Sequence, residues 1–136
     1  MKNNILKLST LLMVPLLTAC VFGDTKVVSD NTTAIMSTSN MTSTSISFSC
    51  QKCDGVIIYS INVKEENEKA ISCDLDLSGG TLTILVKDGE GVEIYNNSHN
   101  ESANYDIPLE SFGKHRVELT HNEFKGSYRL SWAKKK

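Results

Sequence analysis

The chain predicts an all-β fold, an antiparallel β-sandwich of seven to eight short strands. Three observations carry this. Apolar residues recur every second position in run after run from Ser45 to Trp132. Gly-containing turn signals separate the runs, and the strands follow one another at sandwich-like spacing. No window shows a convincing helical period; Val63 to Ala70 (VKEENEKA) is helix-prone in composition but polar throughout, and reads as a loop.

The elements follow in chain order. Lys2 and Lys7 mark a positive start, and Leu8 to Ala19 is an uncharged apolar run. Twelve helical residues rise only ~18 Å, short of the ~30 Å hydrocarbon core. Residues 1–19 therefore read as a cleavable signal peptide and not as a spanning helix. The run closes on Leu17-Thr18-Ala19-Cys20, an aliphatic residue, a small polar one, a small one and a cysteine. This resembles the lipobox of bacterial lipoproteins. The resemblance implies that Cys20 takes a diacylglycerol thioether and, after cleavage, is the fatty-acylated (palmitate-type) first residue of the mature chain. It implies a lipid-anchored protein on the extracytoplasmic face of the cell membrane, or of the outer membrane in a Gram-negative cell. The bilayer partner is then reached through Cys20.

Residues 29–45 hold twelve Ser, Thr or Asn in seventeen positions. Such a stretch buries little apolar surface, so residues 20–44 are expected to be the lipidated cysteine and a flexible tether, with the sandwich domain over 45–136.

Within that domain Ile46, Phe48 and Cys50 alternate with Ser45, Ser47 and Ser49. Ile57, Tyr59, Ile61 and Val63 follow, then Ile71, Cys73, Leu75 and Leu77 against Ser72, Asp74, Asp76 and Ser78. Leu82-Ile84-Val86, Val92-Ile94, Tyr105-Ile107, Val117-Leu119 and Tyr128-Leu130-Trp132 complete the series. Ser78-Gly79-Gly80, Asp88-Gly89-Glu90-Gly91, Phe112-Gly113 and Lys125-Gly126 are the turn signals, and Pro108 marks a strand end or an edge. The Thr81–Gly89 strand and turn leading into Val92–Tyr95, with the closing Gly126-Ser127-Tyr128-Arg129-Leu130-Ser131-Trp132, resembles small β-sandwich lipoproteins of low-GC Gram-positive bacteria. That resemblance implies a fold and an address, and no activity.

Three cysteines follow Cys20. Cys50 and Cys73 both fall on inward parity and are the candidate disulfide couple, with Cys53 able to replace Cys50. A direct Cys50–Cys53 bridge would be a redox-type loop without its usual helix. Metal is not expected, because C-x-x-C stands alone without a second ligand pair. No cofactor is expected either. His99, His115 and His121 belong to no hydrolase or metalloprotease motif, so no catalytic residue and no enzyme activity are expected. Asp74 and Asp76 share one strand face, half of a calcium site or a solvated pair. Trp132 reads as core, and Tyr95 and Tyr105 as a candidate sugar-stacking pair.

Formal charge is −2; taking Lys2 and Lys7 from 14 basic residues leaves 12 against 16 acidic ones, near −4 for the mature chain. Nucleic acid is not an expected partner. The leading expectation is a non-enzymatic binding or envelope-structural module with an envelope or extracellular partner. The alternative is a carbohydrate- or calcium-binding sandwich.

Overall fold

The computed structural model describes residues 21–22, 25–64 and 68–132; the expected signal peptide, residues 1–19, and the expected lipidation site Cys20 lie outside the described residues. Every strand pair among them is antiparallel. The strands are β1 (Val21–Phe22), β2 (Thr25–Asp30), β3 (Thr33–Ile35), β4 (Thr38–Met41), β5 (Ser45–Val63), β6 (Ala70–Lys87), β7 (Glu93–His99), β8 (Ala103–Pro108) and β9 (Gly113–Ser131). Hydrogen bonds link them in the order β1-β2-β5-β9-β6-β7, with β3 and β4 also on β5, and β8 also on β6.

The sandwich is built by three long strands, each passing through both layers. β5 fuses the runs read as 46–50 and 57–63, β6 fuses 71–77 with 82–86, and β9 fuses 117–119 with 128–130. Register shifts interrupt β5 between Cys50 and Gly55, and β6 between Leu77 and Thr81, both opposite residues 121–126 of β9. Bulges of this kind bend a strand and raise its twist without ending the ladder. Gly79-Gly80 and Lys125-Gly126 are therefore corners rather than hairpin loops. Gly80 (φ +73°) and Gly126 (φ +146°) need the freedom of glycine, because a Cβ would run into the backbone of Glu123 and of Asp76 respectively. Asp88 to Gly91 is a true turn, closed by the Gly91 N–H donating to the Asp88 carbonyl at 3.0 Å.

The corners divide the sheet into two leaves. The front leaf runs β4, the first half of β5, the second half of β9, the first half of β6, then β8. The back leaf runs β2, the second half of β5, the first half of β9, the second half of β6, then β7. Inward positions of both leaves form one core, including Ile46, Ile61, Ile71, Leu82, Ile84, Leu119, Phe124, Leu130 and Trp132. Each fully buried side chain of this kind contributes about 1.5–3 kcal/mol.

Two expectations are corrected here. The flexible tether does not hold over residues 25–41: β2, β3 and β4 lie there, each antiparallel to β5. Composition measured what these side chains can bury, whereas an edge strand needs only backbone groups to cap a neighbour's open edge. The stretch is also pinned by polar contacts. The Thr25 hydroxyl, fully buried, donates to the Ser43 carbonyl at 3.0 Å, and the Val56 N–H donates to Asn31 Oδ1 at 2.8 Å. The domain thus begins well before Ser45. Second, the disulfide joins Cys50 to Cys53, and Cys73 is a free, buried thiol. Inward parity did put Cys50 and Cys73 inside. The bulge after Cys50, however, turns Cys53 inward too, beside Cys50, whereas Cys73 lies beyond the intervening β9.

Candidate functional site

The outer face of the front leaf carries a grid of polar side chains set by register. Asn40, Ser47, Arg129, Asp74 and Asn104 are successive cross-strand partners, one on each of five strands. Thr38, Ser49, Ser127 and Asp76 form a parallel row two residues along each strand. Strands lie ~4.8 Å apart, so the longer row spans ~19 Å. Residues of both rows line a groove of about 570 Å³, with Ser102 at its end. A third row, Ser45, Ser131, Ser72 and Asp106, lies outside the groove, and there the Ser72 hydroxyl donates to Asp106 at 2.9 Å.

The charged members of the grid are uncommitted. Arg129, Asp74 and Asp76 are exposed and have no ion pair or side-chain hydrogen bond among the described residues. A guanidinium with five donors thus stands across from a carboxylate that only accepts, flanked by hydroxyls and amides that do both. Asp74 and Asp76 do sit side by side. Arg129, directly opposite Asp74, puts positive charge where a calcium ion would need negative, and the described residues contain no group of three or more His, Cys, Asp or Glu able to hold a metal.

The histidines serve elsewhere. His121 Nδ1 lies 3.1 Å from the Gly55 carbonyl and Nε2 3.0 Å from the Tyr128 hydroxyl. The carbonyl can only accept, so Nδ1 carries the proton and Nε2 accepts from Tyr128. Burial pushes the His121 pKa down, and the ring is a neutral brace among Phe48, Phe124 and Tyr128 at the corner. His115 is likewise buried, with Nδ1–H donating to the Gly113 carbonyl at 3.0 Å and Nε2 3.5 Å from Ser111 Oγ. That Ser–His contact sits at the outer limit of a hydrogen bond. Its orienting group is a backbone carbonyl, which supplies no charge to stabilise an imidazolium.

Tyr95 and Tyr105 do form a pair, but a half-buried one. They face inward at the β7/β8 edge with ring centroids 6.0 Å apart. Both hydroxyls reach His99 Nε2, Tyr105 at 2.7 Å and Tyr95 at 3.2 Å. Burial raises the Tyr105 pKa and lowers that of His99. Their faces are spent on each other and on His99, so they offer no exposed platform beside the Asp74/Asp76 groove. Trp132 is core, as its inward parity implied.

Sequence reasoning took Asp74 and Asp76 as a face and missed the rest of the grid. Ser47, Ser49, Ser127 and Arg129 all show outward parity, but parity does not tell which strands are neighbours.

No family model matches this chain, and no match was found among curated protein sequences. Among solved structures, the chain is similar to a mutant of a family 29 carbohydrate-binding module in complex with mannohexaose. That pair is 13% identical, with 82% of this chain and 84% of the other covered and a TM-score of 0.39. A family 61 carbohydrate-binding module in complex with β-1,4-galactotriose is 13% identical, with 80% and 79% covered and a TM-score of 0.36. A family two carbohydrate esterase from Cellvibrio japonicus is 15% identical, with 79% of this chain but 31% of the esterase covered and a TM-score of 0.35.

Proposed function

We propose that the protein is a non-enzymatic, lipid-anchored extracytoplasmic module whose front leaf binds a carbohydrate chain. The anchor rests on Lys2, Lys7, the apolar run to Ala19 and the Leu17–Cys20 box. The ligand class rests on one observation: the groove presents unpaired Arg129, Asp74 and Asp76 within rows of hydroxyl and amide side chains. A free ion would gain little where a guanidinium and a carboxylate stand opposite each other. A neutral polyol presents many groups that both donate and accept, and such a grid can satisfy several at once. The five-strand width suits a linear chain lying across the strands.

The test is calorimetric titration of the protein with a panel of soluble oligosaccharides, repeated for Arg129→Ala and Asp76→Ala. At least one saccharide should bind, and either substitution should weaken it tenfold or more with the melting temperature unchanged. Absence of any binding by the native protein, or binding indifferent to both changes, would remove this reading.

A further inference from the structure

The outer face of the back leaf has the opposite character. Lys26, Ser60, Arg116 and Lys87 are successive cross-strand partners on β2, β5, β9 and β6. Lys114 stands two residues from Arg116 on the same side of β9. All four cations line one open groove of about 450 Å³, with the half-exposed Val28 beside them. Lys26, Lys114 and Arg116 have no ion pair among the described residues. The carboxylates near these cations are Glu118, two residues from Arg116 on β9, and Asp88 on the groove itself, with Glu93 farther off on β7. Glu118 pairs with Lys87 at 3.6 Å, Asp88 accepts the N–H groups of Glu90 and Val92, and Glu93 accepts from Asn96. The groove thus carries four cations against Asp88 and the Lys87-paired Glu118 beside it, a local excess of positive charge in a chain of net negative charge.

Its position decides what it meets. β1 pairs with β2 so that Val21 lies opposite Lys26. Cross-strand partners are ~5 Å apart, so Val21 is close to the start of the Lys26–Ser60–Arg116–Lys87 row. We infer that this basic face docks on the anionic surface of the bilayer that holds the protein, turning the front-leaf groove away from the membrane. The inference rests on the proposed acylation of Cys20. Acyl chains entering the bilayer beside Val21 bring Lys26, Arg116 and Lys114 to the head groups, within the ~10 Å over which such attraction survives at 0.1 M salt. The front leaf, with Asp74, Asp76 and Asp106 against Arg129 alone, is repelled by the same surface.

The experiment uses the acylated protein reconstituted in vesicles of phosphatidylcholine, with or without phosphatidylglycerol. Amine-reactive footprinting compares Lys26 and Lys114 with Lys52 and Lys125. Lys26 and Lys114 should react several-fold more slowly on the anionic vesicles and recover in high salt, while the reference lysines do not change. In a Lys114→Glu, Arg116→Glu variant the protein should stay attached and Lys26 should lose its protection. Equal reactivity on both vesicles, with the protein still anchored, overturns the docking face alone. Release of the protein from neutral vesicles removes the anchor, and the orientation falls with it. If a soluble sulfated glycan protects Lys26 and Lys114 where anionic vesicles do not, the face serves a polymer and the membrane assignment is overturned.

Discussion

The two outer faces of this sandwich are made by the same three strands, yet they share almost no chemistry. Where β5, β9 and β6 cross the front leaf, their outward residues are Ser47, Ser49, Ser127, Arg129, Asp74 and Asp76. Where the same strands cross the back leaf, they present Ser60, Lys114, Arg116, Glu118 and Lys87. The inward residues do not change in kind: Ile46 and Ile61, Leu75 and Ile84, Leu130 and Leu119 are interchangeable core. A bent strand can thus hold one constant interior while changing its outward chemistry on either side of the corner. The corner, and not a second domain, separates a face of mixed hydrogen-bonding groups from a basic one.

Breaking the corner should have the largest effect. Gly126→Val puts a branched side chain into the Asp76 backbone at a left-handed position, and is expected to cost about 3 kcal/mol or more. Urea unfolding would measure it, and a loss under about 1 kcal/mol would mean that the corner yields easily. Next comes the brace beneath it. His121→Leu leaves the Gly55 carbonyl and the Tyr128 hydroxyl without this partner, at about 1–3 kcal/mol. The same ring sets a pH dependence. Its folded pKa is depressed below the ordinary 6.5, so the unfolded chain takes up the proton first. Stability should be full above about pH 6.5 and fall as pH drops from there toward the folded pKa. His121→Leu should flatten that slope, leaving the contribution of His99, whose pKa burial also lowers.

The bridge at the bulge matters less. Closing so short a loop stabilises by about 2 kcal/mol in the chain-entropy model, against more than 3 kcal/mol for a loop from Cys50 to Cys73. Replacing Cys50 and Cys53 together with Ala should therefore cost about 2 kcal/mol at most. Alkylation of the denatured, unreduced protein should mark Cys73 and spare Cys50 and Cys53. The smallest stability effects belong to the faces themselves. Arg129→Ala and Lys114→Ala should each change unfolding free energy by less than about 0.5 kcal/mol. They sharpen the contrast most, since the first should weaken only saccharide binding and the second only the response to anionic vesicles. A substitution on one face that disturbs both would show that the leaves are coupled.

Alternation along the chain was enough to find the inward side of every long strand. It named Ile46, Phe48, Tyr59, Ile61, Cys73, Leu75, Ile84, Leu130 and Trp132 as interior, and all are buried. It also assigned Asp74 and Asp76 to one outward face. The polar strands β2 to β4 were not legible, because Ser, Thr and Asn bury little there and are held by the open edge of β5 from far along the chain. Gly79-Gly80 and Lys125-Gly126 misled for a related reason: the same residues serve a hairpin or a bulged corner, and only the partner strand decides which.

Period-two hydrophobicity is a local property, readable wherever a strand has one buried side, and so the sequence by itself determined the all-β class and its core. Pairing is not local. That Arg129 stands between Ser47 and Asp74, that Cys50 bonds Cys53 and not Cys73, and that Lys26 begins a row with Arg116 and Lys87 all depend on which strands lie side by side and in what register. Only the tertiary structure decided those, because many strand orders bury the same apolar residues equally well, while a single order and register place these charged side chains together.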